Sequence, residues 1–215
     1  MRWLTILLLA AASISAFAVF NAIKNNARQK NKNAAVGKHA VTDIRKATMV
    51  RLKQYACDVK AYTSKNNLNN RYCFLIDMKI PSGSKRFFIY DLENDSIMQA
   101  GLVTHGSGIN ISGDSLAFSN NTGSNCTSLG KYKIGKSYHG KFGPAWKLYG
   151  LDRTNSNAFN RFVVLHAHPC VPENEIAPLE ICRSWGCPTI SPLFLSSVKK
   201  YLDNSSSPIL LWIFY

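Results

Sequence analysis

The chain has 215 residues, 46% hydrophobic and 18% charged, enough for one well-buried core, somewhat short for two, and too apolar to be disordered over most of its length. Lys and Arg number 26 against 12 Asp and Glu, a formal charge of +14. That excess points to a polyanionic neighbour, with nucleic acid, anionic lipid and bacterial wall polymer all qualifying. Arg2, Lys24, Arg28, Lys30, Lys32 and Lys38 meet no acid before Asp43, so +6 sits at the front and +8 on the remainder.

Residues 1–18 read as a secretory signal: a basic Arg2, an apolar stretch from Trp3 into Ala12, then small residues ending in Ala16-Phe17-Ala18, an A-x-A cleavage pattern. The alternative is an uncleaved anchor, since Trp3 to Phe20 carries only Thr5, Ser13 and Ser15 as polar interruptions and approaches the length of a membrane span. Either way the remainder is expected in the periplasm or cell envelope, where six cysteines at 57, 73, 126, 170, 182 and 187 can form disulfides. Export also argues against nucleic acid as the partner.

Residues 19–42, rich in Asn, Lys and Ala without apolar periodicity, are expected to be a flexible basic tether suited to anionic membrane or wall polymer. Thr42 then resembles an N-cap, and Ile44, Thr48, Leu52, Tyr55 and Val59 recur at helical spacing. Beyond Asn70 the predicted elements are strands at Tyr72–Ile76, Arg86–Tyr90, Ile97–Thr104, Phe162–His166 and Ile209–Phe214, with a turn at Pro81-Ser82-Gly83-Ser84. Between the third and fourth lies a Gly-, Ser- and Asn-rich region, Gly106 to Gly143, followed by the apolar piece Trp146–Leu151. Phe194, Leu195, Val198 and Leu202 predict a second helix after Ser191. These features make residues 43–215 one mostly-β (α+β) domain of ordinary size, expected to be a monomer.

The chemistry concentrates at Arg183-Ser184-Trp185-Gly186-Cys187-Pro188. A thiol between Gly and Pro is expected at a turn, where backbone N–H groups can face a developing oxyanion. Upstream, the apolar run Phe162–Leu165 ends in His166-Ala167-His168, placing an imidazole where it could generate a thiolate. A disulfide half and a structural histidine remain the alternatives for Cys187 and His166.

A His followed some twenty residues later by Ser-x-Gly-Cys resembles the signature of the L,D-transpeptidase catalytic domain. Phe74-Leu75-Ile76-Asp77, Tyr90-Asp91-Leu92, Thr104-His105-Gly106, Phe118-Ser119-Asn120, Ser128-Leu129-Gly130 and Gly150-Leu151 fall in the same order as in the branch with a Ser-Trp-Gly-Cys-Pro motif. The resemblance spans roughly residues 43–215 and implies a β-sandwich or barrel with an N-terminal helix and a short helix after the nucleophile. It further implies Cys187 as nucleophile, His166 as general base, the Ala167 carbonyl as the group that orients the imidazole, and Ser184 and Gly186 as the motif shaping the nucleophile turn and oxyanion site. Arg183, Trp185, His105 and Ser128 are candidate substrate-binding residues. Ser119, Asn120 and Ser124 belong, with Ser128, to a polar loop that could line the cleft.

Two positions depart from the family pattern: Trp185 stands where the motif has His, and no Arg follows Pro188 closely. The implied reaction is acyl transfer from a peptidoglycan stem tetrapeptide to an amine or to water, without metal or cofactor. The non-catalytic alternative is a basic wall-binding protein with a degenerate site. His166, His168, Cys170, Cys182 and Cys187 include zinc-ligand types, but their spacing matches no zinc pattern. Cys170 and Cys182 are better explained as a disulfide closing the segment between base and nucleophile.

Overall fold

A computed structural model describes residues 46–109 and 116–215, together with Lys24 and Lys30. The expected signal, residues 1–18, and the proposed N-cap Thr42 lie outside the described residues. Lys24 and Lys30 are the described positions of the expected flexible tether, and both are helical, in keeping with the helix propensity of a Lys- and Ala-rich stretch. Contacts divide the chain into two units, Met1–Arg51 and Leu52–Tyr215. The sheet and the candidate site belong to the second. No helix among the described residues is long and apolar enough to cross a membrane.

Helix α1 runs through residues 46–63. From Leu52 onward its apolar stripe, Leu52, Ala56 and Val59, is buried, as the helical spacing predicts. Eight strands follow, with a second helix before the last: β1 (Tyr72–Asp77), β2 (Phe87–Asp91), β3 (Ser96–Gly101), β4 (Gly130–Gly140), β5 (Gly143–Gly150), β6 (Val164–Ala167), β7 (Thr189–Ile190), α2 (Pro192–Asp203) and β8 (Leu210–Phe214). They form one mixed sheet in the order β3-β2-β1-β8-β4-β5-β6-β7. β1 pairs with β8 and β6 with β7 in parallel; the other neighbours are antiparallel.

The sheet curls until its edges meet. Val103, just past β3, bridges Ile190 of β7, and the Thr104 N–H donates to Thr189 O at 2.9 Å. Phe74, Ile76, Phe87, Ile89, Leu211 and Ile213 pack into the core enclosed by this curl, with Phe194, Leu195 and Val198 of α2 against it. Ser191 caps α2 by accepting the Phe194 N–H, as the predicted second helix requires.

The strands predicted from apolar runs all exist, within a few residues of their expected bounds. β4, with 11 residues, lies inside the Gly-, Ser- and Asn-rich region Gly106 to Gly143. There Lys131, Lys133, Tyr132 and Ile134 alternate between half-buried or exposed and buried positions, which is the period of a strand with one face on the core.

Candidate active site

Strand β6 ends at the site because its register sets His166 opposite Thr189 of β7. His166 Nδ1 lies 3.0 Å from Ala167 O, so Nδ1 carries the proton and Nε2 presents the basic lone pair. Thr189 Oγ1 sits 3.1 Å from that Nε2. Burial, and secondarily His168, push the His166 pKa down against the opposing Ala167 hydrogen bond. The imidazole is therefore neutral at neutral pH.

Two residues before Thr189, Cys187 leaves a turn built on positive-φ geometry. Gly186 has φ +110°, and a Cβ there would stand 2.7 Å from Cys126 O, so both backbone conformation and space demand glycine. Ser184 Oγ accepts the Gly186 N–H at 3.1 Å and donates to Cys187 O at 2.7 Å, closing the turn on itself. Thr104 Oγ1 also donates to Cys187 O, at 3.1 Å. The Gly186 N–H is thus engaged by Ser184. Among the described residues the Cys187 N–H has no partner, which makes it the better-placed donor toward an oxyanion.

The thiol faces the start of β6, accepting the Val164 N–H at 3.4 Å and donating toward Phe162 O at 3.8 Å. Burial raises its pKa, against the Val164 hydrogen bond and the charge of Arg161. Cys187 and His166 therefore rest as a neutral thiol and a neutral imidazole. They line one cleft of about 390 Å³ together with Lys141, Phe142, Arg183 and Trp185. Attack on a carbonyl requires the side chain of Cys187 to turn from Phe162 O toward Nε2.

Phe142, at the tip of the β4–β5 hairpin, stacks on the His166 ring (5.5 Å, 17°) and meets His168 edge-on (5.0 Å, 81°). Arg161 is held by Cys126 O (2.6 Å), Ser119 O (2.9 Å), Ser128 Oγ (3.2 Å) and Ser124 Oγ (3.3 Å). Its guanidinium favours the thiolate. Arg161, Thr189 and Phe142 were not singled out from sequence. The signal available for Arg161 was its position immediately before the predicted strand Phe162–His166, and for Thr189 its place two residues after Cys187.

Two expected cleft residues lie elsewhere. His105 is 4% exposed, and its Nδ1 accepts from Arg86 Nη2 at 3.0 Å, so the proton sits on Nε2. Burial, then Arg86 and Arg183, hold its pKa down to about 4. Its carbonyl accepts the Ser184 N–H at 2.9 Å, so it supports the nucleophile turn from behind. Ser128 is 1% exposed and hydrogen-bonded to Tyr132 and Arg161. The polar loop 119–128 gives its oxygens to Arg161 instead of lining the cleft. Arg183 lines the cleft and pairs with Glu180 at 3.1 Å, and Trp185 lines it with 82% of its surface exposed.

Cys170 and Cys182 form a disulfide with Cα atoms 6.0 Å apart, which removes both from any metal-ligand set. Among the described residues no three His, Cys, Asp or Glu side chains converge as a metal site.

A sequence model of the L,D-transpeptidase catalytic domain matches residues 42–212. The chain belongs to the L,D-transpeptidase catalytic-domain family. No curated protein matches it significantly. Among solved structures it is similar to an L,D-transpeptidase from Xylanimonas cellulosilytica (13% identity, 67% of this chain and 60% of that one, TM-score 0.36). The helical cell shape determining protein Pgp2 from Campylobacter jejuni is also similar (12%, 66% and 47%, TM-score 0.42), as is the Ldtfm-avibactam carbamoyl enzyme (11%, 67% and 49%, TM-score 0.41). The chain thus aligns with about half to three-fifths of the length of these structures.

Proposed function

We propose that this L,D-transpeptidase-type domain is a cysteine acyltransferase acting on peptidoglycan stem tetrapeptides at the cell envelope, exported by the apolar N-terminus. The observation that carries this reading is the single cleft shared by Cys187 and His166, with the imidazole oriented by the carbonyl of Ala167. His166 Nε2 takes the thiol proton as Cys187 Sγ attacks the carbonyl of the diaminopimelate-to-D-alanine bond. The Cys187 N–H stabilises the oxyanion. The C–N bond then breaks, the proton passes from His166 to the departing D-alanine amine, and a thioester remains on Cys187. An amine or water attacks that thioester, giving a cross-link or a trimmed tripeptide and restoring the thiol. Lys141 gives the cleft a cationic group, which suits carboxylate-bearing peptides.

Mass spectrometry of the protein mixed with tetrapeptide muropeptide, and separately with a carbapenem, tests this. An adduct on the Cys187 peptide, absent in Cys187→Ala, is expected. No adduct with either reagent under reducing conditions would overturn the enzyme reading. It would favour the wall-binding alternative, for which the turn of the thiol toward Phe162 O and the Thr189 hydroxyl on Nε2 are the supporting observations.

A further inference from the structure

Strand β4 outruns its neighbour β8. The two pair from Gly130 to Lys133, and the Ile134 N–H still donates to Ile209 O at 3.1 Å. There the pairing stops, because Pro208 has no N–H to continue the ladder and its carbonyl accepts the Asn69 N–H at 2.9 Å instead. Beyond Ile134, β4 continues to Gly140 against β5. Every second residue of an antiparallel pair turns its N–H and C=O away from the partner strand. Among the described residues none of these outward groups from Gly135 to Gly140 bonds to the segment 204–208, so this stretch of β4 is an open sheet edge.

A groove of about 900 Å³ lies along that edge, bounded on the other side by the end of α2 and by Ser205 to Ile209. Ser137 and its partner Trp146 border it from one face of the hairpin, Lys147 and Tyr149 from the other. What the two faces share is the strand edge between them. Residues three apart on a regular strand face opposite sides. Here a register shift between Ile134 and Ser137 adds a residue and brings Lys136 to the same side as Lys133.

That side of the groove is cationic, with Lys133, Lys136 and Lys147 all exposed. Lys133 Nζ stands 5.4 Å over the Tyr149 ring, and Lys147 Nζ stands 5.9 Å over Tyr138 and 4.9 Å over Phe159. Cation–π contacts orient an ammonium group but leave its charge available to an anion. The one acid lining the groove, Asp203, is paired with Lys199. Toward the core the floor is apolar, formed by the buried Ile134, Trp146 and Ile209.

We infer that this edge takes an extended acidic segment of a partner protein, which adds as a strand beside β4. Its carboxylates, on alternate residues, face Lys133, Lys136 and Lys147, and the small or β-branched side chains between them face the floor. The inference does not rest on acyl transfer at Cys187. Open main-chain groups select a peptide, since a phosphodiester polymer could meet the ammonium groups but has no alternating N–H and C=O to continue the ladder. The lysines select its sign and disfavour a second copy of this chain, whose own edge carries the same charge.

The test is calorimetric titration of the full-length chain with a terminally blocked peptide of alternating Glu and Val. N-methylation of every residue keeps the charge, removes the N–H donors and is expected to abolish binding. Methylation on Glu alone or on Val alone leaves one edge of the peptide free, and at least one of these two should still bind. Substituting Lys133, Lys136 and Lys147 together by Ala is expected to weaken the unmethylated peptide about tenfold, the sum of three modest charge contacts. Substituting Lys65, Lys79 and Lys85, exposed lysines outside the groove, lowers net charge equally and is expected to leave binding unchanged. Undiminished binding of the fully methylated peptide, equal losses from both triple variants, or binding of a DNA oligonucleotide but not of the peptide would overturn the inference. No binding of the acidic peptide would overturn it too, leaving the lysines as guards of an edge that pairs with nothing.

Discussion

Acidification should destabilise the fold through His105 before its carboxylates protonate. In the folded chain the ring accepts a hydrogen bond from the buried Arg86 guanidinium, so a proton on Nδ1 would break that bond and set two cations face to face. An unfolded histidine titrates near 6.5 and this one near 4. Between these values the unfolded chain binds the extra proton, so unfolding free energy rises with pH across that window. The contribution is fully present above pH 6.5 and lost as pH falls through about 4. The gap corresponds to at most about 3 kcal/mol, a large share of the stability of an ordinary domain. The variant His105→Gln keeps an acceptor for Arg86 and removes the titration. Urea unfolding of both proteins between pH 7.5 and 4.5 should show the wild type losing about 2–3 kcal/mol more than the variant. His166 titrates in the same direction in both proteins and cancels in the difference. So do Asp91 and Asp95, whose pKa values are lowered by hydrogen bonds. Parallel pH profiles would refute the reasoning.

The remaining predictions concern the nucleophile and its supports. Thr189→Val removes the hydroxyl that favours a neutral His166, so the acid limb of kcat/KM should move to higher pH; an unmoved limb would mean the hydroxyl does not face the basic nitrogen. Gly186→Ala forces a side chain into φ +110° and onto Cys126 O, which should cost about 1–3 kcal/mol in urea unfolding and abolish the Cys187 adduct. Alkylation of Cys187 by iodoacetamide should show a pH midpoint above the ordinary cysteine range, moving further up in Arg161→Gln; a midpoint below that range would show a resting thiolate. Reducing the Cys170–Cys182 bond, which closes a 12-residue separation, should cost about 3 kcal/mol, measured as the shift in urea midpoint with and without reductant.

The residues legible from sequence were those whose role follows from their immediate neighbours. Cys187 and Gly186 announce a turn, and His166 announces a strand end by closing an apolar run. The role of the Ala167 carbonyl comes from the family resemblance and not from its neighbours. Thr189, Arg161 and Phe142 reach the site through strand register, a connection and a hairpin tip, and nothing in their own flanks indicates where those lead. β4 has no apolar run to mark it: its outward positions are Lys and its ends are Gly, so composition resembles a loop while the alternation of Lys131, Tyr132, Lys133 and Ile134 specifies a strand. For His105 and Ser128 the sequence leaves a cleft role and a structural one both open, and the fold buries them. A glycine-rich segment beside a catalytic turn can face substrate or back the turn, and only burial decides.

The two departures from the family motif bear differently on the chemistry. Trp185 projects into solvent, so its presence in place of an imidazole changes the rim of the cleft and leaves His166 and the Cys187 turn as they are. No Arg follows Pro188 closely, and the guanidinium that acts on the Cys187 thiol comes from another part of the chain. Arg161 precedes β6 and is clamped by four oxygens of the 119–128 loop. Its charge lowers the thiol pKa that burial raises. A guanidinium fixed by backbone and hydroxyl oxygens keeps its full charge, whereas one paired with a carboxylate would present none. The polar loop 119–128 thus fixes a cation near the nucleophile, and unfolding of that loop would release the charge that favours the Cys187 thiolate.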